Sequence, residues 1–499
     1  MIIKDFLPFR IVDSSFYRQH ILSLNKDLAI PSRKTVAKMI GKMYKNAVAL
    51  VKSSIDELGC FSLTTDCWSD SVNTKSYIGL TVHYVYETEL ESVVLGNIEF
   101  RSDHSADMLY SEISRLLQFW EIDSDKVTAI VSDGANNISS CIRTHFSTYR
   151  YLWCYAHQLN LIVQDSFRSC IETSLLIDKV KSIVTYFKHS NRAANLLRSE
   201  LVKAGMNENL KLKQECITRW NSKYIMIKRF IDMYLPVLSA LGQLDSAPSM
   251  CDRSELNALK DITVVLYPFI KVTEELSADH YVTISLVIPT ITCMKAALFK
   301  SEPNSEIGKQ LKDALSFNIA KRFRNVEQNK IVSIATILDP RFKRADFESP
   351  LACASAITKI DSYLRRNEQT LPTTTTCTVD ETDDFWETHS QNVKRLENGN
   401  NLSDVSSALK QYLKAKILPR STNPIEYWFQ SKTNFPELYE IACTYLSIPA
   451  SSVPCERLFS KAGYIINDKR NRIDPKHVNE ICVISSCPRR IIDQIKIEN

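Results

Sequence analysis

Two aspartates stand where a carboxylate can do chemistry. Asp66 lies in SLTTDCW, near the end of a β-branched and aromatic run, and Asp133 directly follows the apolar run VTAIVS. If those runs are neighbouring strands, both carboxylates point into one cleft at the sheet rim. Like charges that close are costly without a cation. Hard oxygen donors suit Mg2+ or Mn2+ rather than zinc. Such ions activate a nucleophilic oxygen and stabilise a leaving oxygen in phosphodiester chemistry. An Asp after a strand is also a common turn former, and Asp133-Gly134-Ala135-Asn136 reads as a tight turn as well. A second candidate is Cys154-x-x-His157 in CYAH. That spacing invites zinc, but no second ligand pair lies nearby in sequence. A structural role, with His157 at the start of a helix, is the favoured reading.

The elements that must position these groups are legible from periodicity. Residues 33–58 place Val36, Met39, Ile40, Met43, Ala47, Leu50, Val51 and Ile55 at helical steps, with lysines on the opposite side. Those lysines read first as a solvated face and second as a DNA-facing ridge. From residue 59 the pattern changes. FSLTTDCW, YIGLTVHYVY and LESVVLGNIEF read as an antiparallel three-strand meander. SADMLYSEISRLLQFW follows as a helix with Ser105 as its N-cap. VTAIVSD is a fourth strand, apolar on both faces and therefore expected at the sheet centre. NNISSCIRTHF is a helix, YRYLWCYA a fifth strand and HQLNLIVQDSF another helix. The order β-β-β-α-β-α-β-α predicts a mixed sheet with helices on its faces. Residues 171–365 are helix-periodic without strand signals. Residues 366–405 combine a Thr run with an acidic cluster and read as a flexible linker or a surface excursion. The tail from 406 is helical again.

Composition narrows the classes. The chain has 499 residues, is 44% hydrophobic and 24% charged, and carries a formal net charge of +5. That excludes a wholly disordered or fibrous chain and implies several structural units. Only 10 glycines are present and no G-x-G-x-x-G or Walker loop, which argues against the glycine-rich nucleotide folds. The 14 cysteines are scattered, many in apolar runs, as expected of reduced thiols in a cytosolic or nuclear protein. No apolar stretch approaches the roughly 20 residues needed to span a membrane.

The motifs SLTTDCWSD, IVSDGANNI, WCYAHQLNL, ITRWNS and IPASSVPCERLFSKAGYIINDKRNRI occur in one order. Together they resemble the hAT superfamily of cut-and-paste DNA transposases, in particular the zinc-finger BED-containing branch and its host-adopted derivatives. The resemblance covers roughly residues 5 to 486. It implies an RNase H-like α/β core, with helices on the faces of a mixed sheet, interrupted by a large all-α insertion domain. It also implies helical N- and C-terminal segments. The corresponding divisions are a helical lead-in over 1–58 (DNA-binding or intertwining) and the first part of the catalytic core over 59–170. The all-α insertion covers 171–405, including the linker 366–405. A dimerisation region over 406–499 completes the core.

The resemblance further implies a DDE carboxylate triad of Asp66, Asp133 and Glu456 holding Mg2+ or Mn2+, with Glu456 otherwise reading as a solvated residue in a helix's first turn. It implies DNA contacts from His157, from Arg219 and Trp220, whose indole would stack on a flipped base, and from Lys469, Arg470 and Arg472. These last three read equally as a solvated turn. Trp428, Phe435, Leu438, Tyr439, Ala442, Leu446 and Leu458 would form an apolar surface shared between the core and another subunit. The implied partners are double-stranded DNA (transposon ends and target) and a second copy of the chain or a higher homo-oligomer, with no membrane and a nuclear location. The family's amino-terminal BED finger has no counterpart here, so the chain is expected to be either a fragment or a copy without that DNA reader. Three functions follow: a Mg-dependent transposase that cuts and joins DNA, a domesticated, catalytically unused derivative regulating transcription as a nuclear dimer, or, ranked last, a dimerisation scaffold with no DNA contact.

Overall fold

The computed structural model describes residues 2–70, 75–101, 103–216, 220–278, 281–365, 384–396, 405–466 and 473–495. The chain opens with helices α1 (Ser15–Leu24) and α2 (Arg33–Asp56). Ser32 caps α2 by accepting from the Thr35 amide at 3.2 Å. Its apolar stripe, Val36 to Ile55, is buried, whereas Lys34, Lys38, Lys42 and Lys45 stay exposed. Strands β1 (Phe61–Asp70), β2 (Lys75–Tyr86) and β3 (Glu89–Phe100) form the antiparallel meander. Helix α3 (Ala106–Phe119), strand β4 (Val127–Ser132), helix α4 (Asn136–Ile142), strand β5 (Tyr151–Trp153) and helix α5 (Tyr155–Ser169) follow.

The sheet order is β3-β2-β1-β4-β5, with β1 parallel to β4 and β4 parallel to β5. The sheet is mixed, and the elements succeed one another along the chain as read from the sequence. Strand β4 is interior but not central, because the three-residue β5 still lies outside it. Its double-faced burial has a direct cause. Ala129 and Val131 pack into a core shared with the helical region, while Val127 and Ile130 pack into a second core with α2 and α3. The fifth strand is shorter than YRYLWCYA suggests. Cys154 accepts a hydrogen bond from the His157 amide and starts the helix there, ending the strand at Trp153.

After α5 the chain is helical: α6 (Ile171–His189), α7 (Asn191–Lys203), α8 (Trp220–Asp232), α9 (Tyr234–Leu241), α10 (Arg253–Leu276), α11 (Val287–Lys300), α12 (Glu306–Phe323), α13 (Lys330–Leu338), α14 (Pro350–Leu364), α15 (Glu387–Leu396), α16 (Ser407–Lys414), α17 (Pro424–Ser431) and α18 (Pro436–Leu446). Apart from α15, they share one continuous apolar core. The segment read as a flexible linker needs correction at its centre. Phe385, Trp386 and His389 are buried, Trp386 stacks on Phe342, and His389 Nδ1 meets Asp346 Oδ2 at 2.5 Å. The surrounding polar composition hid a docked aromatic anchor. Residues 366–383 and 397–404 lie outside the described residues.

Helix α19 (Val453–Ile465) then returns to the sheet and packs on β1 and β2, α20 (Pro475–Ser486) packs on β3 and α2, and α21 (Arg489–Gln494) follows. Of the apolar residues expected to be shared between the core and another subunit, the part expected to pack within the chain proves to be nearly all of them. Trp428, Leu438, Ala442 and Leu446 are fully covered, Leu458 and Phe435 nearly so, and Tyr439 is half-buried. Helical spacing shows that a stripe must be covered but not by what. No helix among the described residues is long and apolar enough to cross a membrane.

Gly79 of β2 decides how closely α19 sits. A Cβ there would lie 2.9 Å from two ring carbons of Phe459 and 3.1 Å from Leu458 Cδ2. Gly79→Ala is expected to cost about 1–3 kcal/mol by overpacking, read from denaturant unfolding. An unchanged midpoint would show that the helix yields freely.

Candidate active site

The parallel pairing of β1 with β4 fixes the site. Thr64 is opposite Val131 in the register. Two residues further along each strand stand Asp66 and Asp133, at equivalent positions and on the same face. The Asp133 amide donates to Asp66 Oδ1 at 2.8 Å. Asp133 Oδ1 in turn accepts from the Ala135 amide at 2.9 Å, and the chain turns through Gly134 at φ 88°. The indole of Trp153 at the end of β5 closes the turn, its Nε1–H donating to the Asp133 carbonyl at 2.9 Å. The tight turn read at Asp133-Gly134-Ala135-Asn136 is what the backbone forms, and the same turn sets Asp133 against Asp66.

Asp66 is 5% exposed. Burial pushes its carboxyl well above the ordinary range, and the neighbouring Asp133 charge pushes it further. The Asp133 amide and the nearby Ser452 hydroxyl act in the opposite direction, and the charge of Glu456 adds a smaller upward push. Ser452 Oγ is buried without a partner at hydrogen-bonding geometry, although it lies close enough to Asp66 to favour the ionised form.

Glu456 stands exposed in the first turn of α19, where the helix dipole favours its charge. The structure brings Asp66 and Asp133 into contact and sets Glu456 within electrostatic reach of Asp66. Among the described residues, however, no three His, Cys, Asp or Glu side chains are grouped closely enough to hold one ion. The donor chemistry nonetheless fits a hard divalent cation. A buried carboxylate held against a like charge is the arrangement such a cation relieves, and an exposed Glu side chain has the rotamer freedom to complete the set.

Beneath Asp66 a polar layer anchors α19. Thr64 Oγ1 pairs with Thr81 Oγ1, contacts His83 Nε2 at 3.1 Å, and lies 3.4 Å from Cys455 Sγ. Burial lowers His83 to about 3, so this imidazole is neutral. The sequence reading missed this layer. Its only signal was Thr64 two residues before Asp66, on the same strand face, and Cys455 directly before Glu456.

Cys154 is wholly buried, and burial raises its thiol to about 12. The sulfur accepts amide hydrogen bonds from His157 and Ser452, each at 3.3 Å. It is thus a helix cap, and His157 stands half-buried in the turn it caps. Alkylation of the native protein at pH 8 is expected to label the exposed Cys60 and to spare Cys154 until unfolding. Labelling of Cys154 at the rate of Cys60 would contradict that assignment.

Trp220, the expected base-stacking residue, is 3% exposed and meets Phe269 edge-on at 6.4 Å. Its Nε1 is buried without a partner. Stacking on a base requires the first turn of α8 to uncover it. Arg219, Lys469, Arg470 and Arg472 lie outside the described residues.

Comparison with known proteins finds three family descriptions along the chain. The ZBED1 RNase-like domain matches residues 64–157 and the ZBED1 RNase-like helical domain residues 152–264. The hAT family C-terminal dimerisation region matches residues 408–486. A Zea mays protein named as an AC transposase is 23% identical over 95% of this chain and 62% of its own length. Human zinc finger BED domain-containing protein 4 is 22% identical over 92% of this chain and 40% of its own. The rice zinc finger BED domain-containing protein RICESLEEPER 3 is 24% identical over 96% of this chain and 68% of its own. The chain thus spans less than two thirds of the first two. Three matches in the family's order, over a sheet that places two of the expected acids side by side, lead to one conclusion: the chain belongs to the hAT family of transposases and transposase-derived proteins.

Proposed function

We propose that the chain is a DNA strand-cleaving and strand-joining enzyme built on an RNase H-like core interrupted by the helical region between α5 and α19. The observation that carries this reading is the contact of Asp66, in the middle of β1, with Asp133, directly after the parallel strand β4, with the helix of Glu456 docked on β1. Asp66, Asp133 and Glu456 would hold Mg2+ or Mn2+, which when bound supplies an activated water or 3′-hydroxyl and stabilises the leaving oxygen. The chain's own groups orient these donors. The Asp133 amide aims one oxygen of Asp66, and the Ala135 amide fixes one oxygen of Asp133 and leaves the other for the cleft. Burial of Asp66 keeps competing water away from it.

Double-stranded DNA, both transposon ends and target, is the proposed substrate. His157 and, once uncovered, Trp220 with Arg219 would contact the strand, and Lys469, Arg470 and Arg472 its phosphates. The match to a dimerisation region supports a homodimer or higher homo-oligomer, and the DNA substrate supports a nuclear location.

A second reading, a domesticated derivative that binds DNA as a dimeric regulator without cutting it, is favoured by one observation: Glu456 does not share a three-donor group with the two aspartates. One assay separates the two. Duplex DNA is incubated with the protein and Mg2+ or Mn2+, beside a variant carrying Asp66→Asn, Asp133→Asn and Glu456→Gln. Metal-dependent nicking by the natural sequence alone supports the enzyme. Equal behaviour of both, with salt-dependent DNA binding retained, supports the regulator.

A further inference from the structure

We propose that residues 153–155 hold the second and third acids in register with each other, and that Trp153 and Cys154 are positioning residues for strand cleavage. The catalytic part of this inference rests on the enzyme reading above; its structural part rests on hydrogen bonds alone. On one side of the segment, the Cys154 amide donates to the Ser132 carbonyl at 2.8 Å, and Trp153 Nε1–H donates to the Asp133 carbonyl at 2.9 Å. On the other side, the Tyr155 amide donates to the Ala450 carbonyl at 2.9 Å, and the Ser452 amide donates to Cys154 Sγ at 3.3 Å. Three consecutive residues therefore splice the strand end that carries Asp133 to the turn that opens the helix of Glu456. These two segments are far apart along the chain and share no sheet pairing.

The chemistry suits a sulfur at position 154. One large, wholly buried atom accepts two amide protons at once, capping α5 with one and seating the 450–452 turn with the other. The same turn is also tied to the helical region, through the Ala450 amide to Thr283 Oγ1 at 2.9 Å and Ser451 Oγ to the Leu276 carbonyl at 3.1 Å. Losing the Cys154 acceptor therefore loosens the turn without detaching it. Trp153 acts from beneath, because its indole fills the space over Gly134 that a Cβ would occupy. Groups that orient ligands rather than bind the ion themselves typically change metal affinity or activity 10–100-fold when removed.

The test uses the full chain with Cys154→Val, which keeps the volume and removes the acceptor. Cys154→Ser, which keeps an acceptor, and Trp153→Phe, which keeps the ring and removes the N–H, are its companions. Hydrogen exchange of the amides in 450–456 is measured without any ion. Cys154→Val is expected to speed it about 10-fold or more, and Cys154→Ser to bring it back toward the natural rate. In the cleavage assay, Cys154→Val and Trp153→Phe are each expected to raise the Mg2+ concentration for half-maximal rate about 10–100-fold while DNA affinity stays unchanged. Unchanged exchange in Cys154→Val overturns the splice. Cleavage that falls only in proportion to lost stability, with the ion dependence unmoved, overturns the positioning role. If the natural sequence cleaves nothing, the catalytic half falls with the enzyme reading, and the exchange result alone decides the structural half.

Discussion

Asp66→Asn is expected to abolish metal-dependent nicking and, in the same protein, to raise thermal stability at neutral pH. Loss of a direct ion ligand should lower the cleavage rate by about 10³-fold or more, beyond the 10–100-fold typical of supporting groups. The gain in stability comes from the same carboxylate. Asp66 is buried against Asp133, so its folded-state value lies above its unfolded one. Below the unfolded value both states are protonated and the group is neutral to folding. From the unfolded value up to the raised folded value the unfolded chain loses this proton while the folded protein, in which the charge would be desolvated beside another, keeps it, so stability is lost across that window and levels off above it. Asparagine keeps an acceptor for the Asp133 amide and removes that charge. The variant should gain on the order of 1–3 kcal/mol, the size of an uncompensated buried polar penalty. The difference should be absent near pH 4 and grow toward pH 7.5. Added Mn2+ should raise the melting temperature of the natural sequence and leave Asp66→Asn unmoved. Melting curves at two pH values, with and without Mn2+, check this. A variant less stable than the natural protein at neutral pH would refute the electrostatic account, and wild-type-like nicking would remove Asp66 from the chemistry.

Gly134→Ala is expected to damage stability and activity together. At φ 88° any residue with a Cβ is strained, at a cost of about 1–2 kcal/mol. The Cβ would also lie 2.0 Å from Trp153 Nε1 and 2.5 Å from two further indole atoms. The ring must move, at about 1–3 kcal/mol, and its bond to the Asp133 carbonyl breaks. A total of about 2–5 kcal/mol follows, with cleavage falling further than stability because Asp133 is displaced. Trp153→Ala empties the space the new Cβ needs. The double variant should therefore lose less than the sum of the single ones, by about 0.5–3 kcal/mol. Strict additivity in denaturant unfolding would show that the indole and the glycine do not press on one another.

Periodicity and residue type alone determined a good deal of this protein. The alternation in β1 to β3, the double-faced apolar run in β4 and the helical stripes of α2 and α3 each reflect burial that a strand or helix period must satisfy locally. The order of elements, and the placing of one aspartate in β1 and another directly after β4, follow from the same local rules. Tertiary structure decided whatever depended on which distant surface covers a given one. It put Asp66 against Asp133 through the parallel register of β1 and β4, and used Cys154 as a double acceptor. It placed Trp220 inside the helical core and turned the apolar residues of 428–458 inward. It also docked Trp386 within a stretch whose polarity suggested a linker. Spacing along a chain says that a side chain must be buried or paired. The partner is supplied by packing between residues from tens to hundreds of positions apart, and no local period encodes it.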